Sequence, residues 1–191
     1  FEEAKRNLDS NQSVVRVAAL SKLEGMPVSE AYPELVKMLN DPIRSVRTEA
    51  ARLLSRAPHS LFSPSDFRLF QEVFEELKLR YTSNLDRPES YLSLGILAEN
   101  QNLPLDAEKY SRQGIRREDT YVPARMNLAT LLSRRGKNQE AEKFLREAVR
   151  LQPTWGQVHY SLGLLLAEDE KRISEAIRSL ERASAYWQEN P

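Results

Sequence analysis

The sequence predicts an all-α fold, a right-handed superhelix, or solenoid, of antiparallel helix pairs in which each pair buries its apolar face against the next. Three observations lead to this prediction. Residues 88–191 repeat at a spacing of about 34 residues, a length typical of one helix pair with its turns. Residues 1–57 repeat more weakly, at about 31 residues. No stretch alternates apolar and polar residues as a half-buried strand does, so we expect about ten or eleven helices and essentially no sheet.

The composition supports a folded protein and excludes several chemistries. The 191 residues are 40% hydrophobic and 29% charged, a balance typical of a chain that buries a core. The absence of cysteine excludes disulfides, thiolate zinc sites, iron–sulfur clusters, cysteine nucleophiles and covalently attached haem within this sequence. The 28 basic and 28 acidic side chains cancel, which argues against general binding to nucleic acid or anionic membranes. The longest apolar run, residues 162–167, is too short to cross a bilayer, so we expect no membrane insertion.

The stronger repeat divides into three copies, residues 88–121, 122–155 and 156–190. Each copy has a small residue at its eighth position and an alanine where the second helix is expected to cross the first. These residues are Gly95, Ala129 and Gly163, followed by Ala107, Ala141 and Ala176. Small side chains at both positions let the two helices approach closely, whereas large ones would collide. The predicted starts of the second helices are Pro104, Asn138 and Ser174.

With their aromatic, Leu-Gly and alanine positions, these copies resemble the tetratricopeptide repeat (TPR), and the resemblance covers residues 88–191. It implies that the first helix of each repeat lines a concave groove that binds a peptide or a partner domain. Carried over position by position, the groove candidates are Leu92, Ile96, Glu99, Met126, Asn127, Thr130, Arg134, Tyr160 and Leu164. This surface is more apolar than charged. The alternative is that these side chains are core, covered by an adjoining element or another domain of the same chain.

A two-carboxylate clamp, which one subgroup of this family uses to bind acidic carboxyl-terminal tails, is not expected. Leu92 and Ile96 stand where the clamp requires a lysine and an asparagine, and Gln157 and Ser161 replace a lysine and an arginine. Only Asn127 matches, and an asparagine there is common in the family at large. The resemblance therefore predicts a groove but not this ligand.

The weaker repeat places an Asp-Pro turn, beginning at Asp41, ahead of a second helix, and Arg47 follows the aspartate by six residues. This pattern makes residues 1–57 resemble HEAT-type helical pairs. We expect Asp41 to cap helix amide groups and Arg47 to reach a neighbouring turn. In the first copy Ser10 stands in place of the aspartate, so that contact should be weaker or absent.

Residues 58–87 are predicted to form a linker followed by a bridging helix. Two prolines without helical spacing mark the linker, and Ser65 or Asp66 is the expected cap of the helix. Apolar residues then recur every three or four positions from Phe67 to Tyr81. This stripe should cover the first part of the chain, and the helix should lead to the repeats.

Nothing in the sequence indicates catalysis, a cofactor or a metal. His59 lies in the linker, and His159 occupies a repeat position where an aromatic ring normally packs, so we interpret His159 as a core residue rather than a ligand. No phosphate-binding glycine loop and no nucleophile-elbow motif occurs. The acidic turn at residues 168–170 lacks the alternating oxygen ligands and the glycine of a calcium loop. We therefore expect a protein that is not an enzyme.

Residues 109–150 are locally basic, with 11 basic and 5 acidic side chains. Such a patch suits an acidic partner, but helix-end arginines also keep helical solenoids soluble, which is the simpler interpretation. Nucleic-acid binding is not predicted, because the basic and acidic side chains of the whole chain cancel.

The order of segments, with helical pairs, a linking helix and three repeats, also resembles the carboxyl-terminal region of bacterial multihaem c-type cytochrome-like proteins. That resemblance implies an exported or periplasmic parent in which this segment is a docking or accessory domain; otherwise a cytoplasmic location is expected. Phe1 is neither an initiator methionine nor part of a leader, which fits a piece of a longer or processed chain. A third hypothesis is self-association through Trp155, Tyr186 and Trp187 near the last repeat.

Overall fold

A computed structural model of the chain describes residues 2–189, with side chains up to residue 187. The prediction of an all-α fold is confirmed. The described residues form eleven α-helices and two short 3₁₀ turns, and no strand occurs among them. The chain divides into two compact units, residues 1–84 and 85–191.

The first unit contains five helices. They are α1 (Glu2–Leu8), α2 (Ser13–Leu23), α3 (Val28–Met38), α4 (Arg44–Leu54) and α5 (Pro64–Thr82), with a 3₁₀ turn at His59–Leu61. Helix α1 pairs with α2, α3 pairs with α4, and α5 packs against α4. Apolar residues spaced three or four apart supply the core, and the fully buried ones include Leu20, Leu35, Val46, Leu53 and Leu77.

Asp41, in the turn between α3 and α4, accepts hydrogen bonds from α2 and from its own turn. The Arg16 guanidinium donates from Nε and Nη2 to Oδ2 and Oδ1 of Asp41 at 2.7 and 2.9 Å, and Asp41 Oδ1 also accepts the Ile43 amide at 2.8 Å. Burial opposes the charge on Asp41, but the hydrogen bonds from Arg16 and Ile43 outweigh it and lower the pKa of the carboxyl group. The sequence predicted that Asp41 caps amide groups of the second helix; instead, Asp41 accepts the amide of Ile43, the residue that precedes α4.

The arginine that follows each turn by six residues reaches the next layer of helices. Arg47 donates to both carboxylate oxygens of Glu76, each at 2.8 Å, and to the carbonyl oxygen of Pro42 at 2.9 Å. Arg16 is its counterpart in the first copy and donates to the Ser10 carbonyl oxygen at 2.7 Å. The Ser10 hydroxyl accepts the Gln12 amide at 3.2 Å, against 2.8 Å for the Ile43 amide at Asp41, so the contact at Ser10 is present and weaker.

Helix α5 begins earlier than the sequence suggested. Ser63, not Ser65 or Asp66, is its cap: the Ser63 hydroxyl accepts the Asp66 amide at 3.1 Å. Pro64 explains the shift, because proline has no N–H to satisfy and its fixed φ suits the first helical position. The predicted apolar stripe is buried along its central part, at Phe70, Val73, Phe74 and Leu77.

The second unit contains three helix pairs. Its helices are α6 (Pro88–Asn100), α7 (Pro104–Arg117), α8 (Val122–Arg134), α9 (Asn138–Leu151), α10 (Gly156–Ala167) and α11 (Ile173–Glu189), with a 3₁₀ turn at Glu170–Arg172. We call α6, α8 and α10 the A helices and α7, α9 and α11 the B helices. Two of the predicted B-helix starts are confirmed, whereas α11 begins one residue before Ser174. Phe1 and Asn190, the outer limits of the predicted segments, lie outside the described residues.

Close helix crossings require the small residues, and the third pair is the tightest. A Cβ on Gly163 would lie 2.7 Å from Leu180 Cγ and 3.2 Å from the Ala176 carbonyl oxygen. A Cβ on Gly95 would lie 3.3 Å from Ser111 Oγ, which is a tight but less severe contact. The predicted close approach of the A and B helices is confirmed at both glycines.

The first two A helices end in the same way. Asn102 and Gly136, 34 residues apart, both have positive φ, of 56° and 72°. The amides that follow them reach back to the Ala98 and Leu132 carbonyl oxygens, each at 2.9 Å, as in a Schellman motif. The third pair, which has one more residue in this connection, uses the 3₁₀ turn instead.

Candidate functional site

The A helices lie side by side and leave apolar side chains uncovered. Helix α8 contacts both α6 and α10. Ile96 on α6 is 42% exposed, and Tyr160 and Leu164 on α10 are 37% and 48% exposed. Leu92 on α6 is half-buried. We call these residues, together with the polar groups between them, the A-helix surface.

A small pocket lies within this surface, between α8 and α10. Its volume is about 250 Å³, and Ala129, Leu145 and Leu165 supply apolar lining. Its polar and rim residues are Thr130, Ser133, Arg134, Ser161, Leu164 and Glu168. The structure thus brings together three of the predicted groove residues, which are Thr130, Arg134 and Leu164.

Several predicted groove residues are already engaged within the protein. Arg134 forms an ion pair with Glu99, which links α8 to α6. The Thr130 hydroxyl donates to the Met126 carbonyl oxygen at 3.1 Å. Met126 itself is half-buried and packs against a core cluster that includes Val122.

Asn127 contributes to packing between helix pairs rather than to the pocket. Its Nδ2 donates to Ser111 Oγ at 3.0 Å, and the Ser111 hydroxyl donates to the Ala107 carbonyl oxygen at 2.9 Å. Ser111 is buried, and this chain of bonds lies beside Gly95. The asparagine therefore satisfies a buried polar group between α7 and α8.

Aromatic residues of the last repeat stack within the chain. The His159 ring is 97% buried, lies 5.4 Å from the Tyr186 ring and donates from Nε2 to the Pro153 carbonyl oxygen at 2.7 Å. The interpretation of His159 as a core residue is confirmed. The Tyr160 ring lies 5.3 Å from the Trp187 ring, and Trp187 remains 45% exposed.

Comparison with known proteins agrees with this geometry. The model of the tetratricopeptide repeat family matches residues 122–154. These residues form a tetratricopeptide repeat. They comprise α8 and α9, the central pair of the second unit, and they carry four of the predicted groove residues. No curated protein sequence matches the chain.

Solved structures show the same fold at low sequence identity. MamA of AMB-1 aligns with 98% of this chain and 96% of its own, with a TM-score of 0.54 and 14% identity. MamA of MSR-1 aligns with 93% of this chain and 99% of its own, with a TM-score of 0.52 and 18% identity. YrrB, described as a TPR protein with an unusual peptide-binding site, aligns with 98% of this chain and 93% of its own, with a TM-score of 0.53 and 14% identity. The chain has the fold of TPR solenoids.

These comparisons do not support two of the resemblances drawn from the sequence. Neither the HEAT-like interpretation of residues 1–57 nor the cytochrome-like arrangement finds a counterpart in them. Short helices rich in alanine and arginine reach similar spacings in unrelated helical repeats, so the spacing alone does not identify HEAT-type pairs. The expectation of an exported redox parent depended on the second resemblance and has no support without it.

A larger cleft lies on the other side of the TPR, between the B helices α9 and α11. Its volume is about 770 Å³, and Val149, His159 and Leu162 supply its apolar floor. Charged residues from α9 and α11 line its walls. We call it the B-helix cleft. The basic bias of residues 109–150 was the available sequence signal, but it did not show that residues from three helices meet there.

Neither a metal-binding cluster nor a membrane-spanning helix occurs among the described residues. Within residues 2–187, no three histidine, aspartate or glutamate side chains come together in a way that would hold a metal ion. None of the helices in the part of the chain that the structure describes is long and apolar enough to span a bilayer.

Proposed function

We propose that this protein is a non-catalytic interaction scaffold that binds a peptide or partner segment on the A-helix surface. The observation that carries the proposal is the exposure of Ile96 on α6 and of Tyr160 and Leu164 on α10, the two A helices that flank α8, with a preformed pocket between α8 and α10. Large apolar side chains are costly to leave in water, and several of them exposed on neighbouring repeats are typical of a binding surface. The TPR at residues 122–154 and the described peptide-binding site of YrrB favour the same function.

The surface fits a segment with apolar anchors and a polar backbone. The lining from Leu145 and Leu165 suits an aliphatic side chain, while Ser133 and Ser161 at the rim offer hydroxyl groups to a peptide backbone. Arg134 is paired with Glu99, whereas Glu168 at the rim accepts a hydrogen bond from Asn138 and keeps its negative charge. An affinity in the micromolar range, about −8 kcal/mol, is expected for so small a contact area.

The test is selection of peptides from a random 15-residue library on the wild-type protein, followed by calorimetry with the selected peptides. I96D/L164D should abolish binding, because it puts two charges where the apolar side chains of the ligand would pack. Both replaced side chains are exposed, so the core stays intact. V14D is the matched control, since Val14 is 69% exposed on α2 in the first unit. Circular dichroism checks that the helical content is unchanged.

Equal binding of the selected peptides to I96D/L164D and to V14D would contradict the proposal. Sedimentation velocity at two protein concentrations shows whether the surface is instead occupied by a second copy. In that case the I96D/L164D variant, but not V14D, would lower the sedimentation coefficient at the higher concentration.

A further inference from the structure

The B-helix cleft is lined mainly by charged residues, whereas the pocket of the A-helix surface is lined mainly by apolar and neutral ones. Its floor is apolar, at Val149 and Leu162, and its rims are strongly charged. At about 770 Å³ it is large enough for several side chains of a ligand.

The carboxylates that line the cleft are already neutralised by arginines. Glu142 pairs with Arg172 at 2.6 Å and with Arg146 at 2.8 Å, and Glu175 pairs with the same two arginines, each at 2.6 Å. Glu147 lies 3.5 Å from Nε of the buried Arg125. None of these acidic groups is left to balance another cation.

Four cations of the cleft have no such partner. Within the described residues no ion pair involves Lys143 or Arg150 on α9, or Arg178 or Arg182 on α11. Lys143 and Arg150 are two turns apart on one face of α9, roughly 10 Å along the axis, which is about three residues of an extended peptide. Arg178 and Arg182 are one turn apart on α11. The cleft therefore has positive charge on both walls.

The same cations recur one repeat earlier. Lys109 and Arg116 on α7 precede Lys143 and Arg150 by 34 residues. Both line a smaller pocket of about 470 Å³, and neither makes an ion pair among the described residues. The basic row thus belongs to the repeat pattern of the B helices.

We propose that the B-helix cleft binds an acidic peptide segment that carries an apolar side chain. Carboxylates of the ligand would pair with the four unpaired cations, and the apolar side chain would lie on Val149 and Leu162. A peptide suits the cleft better than a nucleic acid does. The only ring in the lining, His159, is already stacked on Tyr186, and no other aromatic side chain is present there for base stacking.

The experiment measures fluorescence anisotropy with a labelled 12-residue peptide that has Asp or Glu at most positions and one central leucine. A peptide with Asn and Gln in their place and an oligo-dT of 12 nucleotides serve as comparison probes. The acidic peptide should bind the wild type, and raising NaCl from 50 to 200 mM should weaken binding because the contacts are charged. R150Q/R182Q should lose about tenfold in affinity.

R6Q/R68Q is the matched control, with the same change of charge on exposed residues of the first unit, and it should bind as the wild type does. I96D/L164D should also keep its affinity for the acidic peptide, which separates this site from the A-helix surface. The proposal is overturned if the wild type does not bind the acidic peptide, if R150Q/R182Q binds it unchanged, or if the neutral peptide or the oligo-dT binds as tightly.

Discussion

Replacing Gly163 by alanine should destabilise the last helix pair, although alanine is the better helix former. The new Cβ would lie 2.7 Å from Cγ and 2.8 Å from Cδ2 of Leu180, and 3.2 Å from the Ala176 carbonyl oxygen. Neither neighbour yields easily, because one is the branch carbon of a packed side chain and the other is backbone. Overpacking lowers the free energy of unfolding by about 1–3 kcal/mol, whereas the higher helix propensity of alanine raises it by up to about 1 kcal/mol. We expect a net loss of about 1–2 kcal/mol, or roughly 2–8 °C in melting temperature.

Tryptophan fluorescence during urea unfolding is the appropriate assay, because both tryptophans, Trp155 and Trp187, lie in the second unit. Gly95→Ala is the control. Its Cβ would lie no closer than 3.3 Å to another residue, and the middle repeat already has Ala129 at this position. The gain in helix propensity, up to about 1 kcal/mol, should offset this tight contact, so Gly95→Ala should not lower the stability.

A double-mutant cycle isolates the clash. In a Leu180→Ala background both obstructing carbons are gone and only the contact with the Ala176 carbonyl oxygen at 3.2 Å remains, so Gly163→Ala should cost clearly less there than in the wild type. If Gly163→Ala leaves the wild-type midpoint unchanged, or costs the same in both backgrounds, the packing explanation is wrong.

Three further predictions concern charges and a turn. Hydrogen bonds from Arg146 and Arg172 lower the pKa of Glu175 to about 2. The ionised carboxylate therefore stabilises the folded protein above about pH 4.5, and this stabilisation is lost as the pH falls toward 2. Because solvent screens the exposed ion pairs, its contribution to the free energy of unfolding is about 1 kcal/mol. Glu175→Gln should therefore reduce the difference in unfolding free energy between pH 7 and pH 3, and an unchanged difference would contradict this. Asp41→Asn should cost about 1–2 kcal/mol because it removes the charge that accepts two hydrogen bonds from half-buried Arg16, whereas exposed Asp9→Asn should cost less than about 1 kcal/mol; calorimetry compares them. Asn102→Gly should stabilise the second unit by up to about 1 kcal/mol, because its φ is positive, and a lower urea midpoint would refute this.

The repeat architecture could be predicted from sequence because it depends on local spacing. The 34-residue period placed the helix pairs, and the small residues at Gly95 and Gly163 located the crossings. The cap of α5 was misplaced because three candidate cap residues, Ser63, Ser65 and Asp66, stand around one proline, and only the backbone path selects among them.

The surfaces could be predicted only in part. Family positions identified which residues lie on the A helices, but not that Asn127 would bond to Ser111 or that Arg134 would pair with Glu99. Such pairings depend on which side chains meet across helices. The B-helix cleft was missed for the same reason, since its character follows from which cations are left without partners after Glu142 and Glu175 have theirs.

Helix α10 contributes residues both to the A-helix surface and to the B-helix cleft. His159 and Leu162 line one side of it and Tyr160 and Leu164 the other, so neighbouring residues of a single rigid rod face two different surfaces. A ligand that tilts or shifts this rod on one side alters what a second ligand meets on the other. Thermodynamic reciprocity then requires the two occupants to change each other's affinity by the same factor.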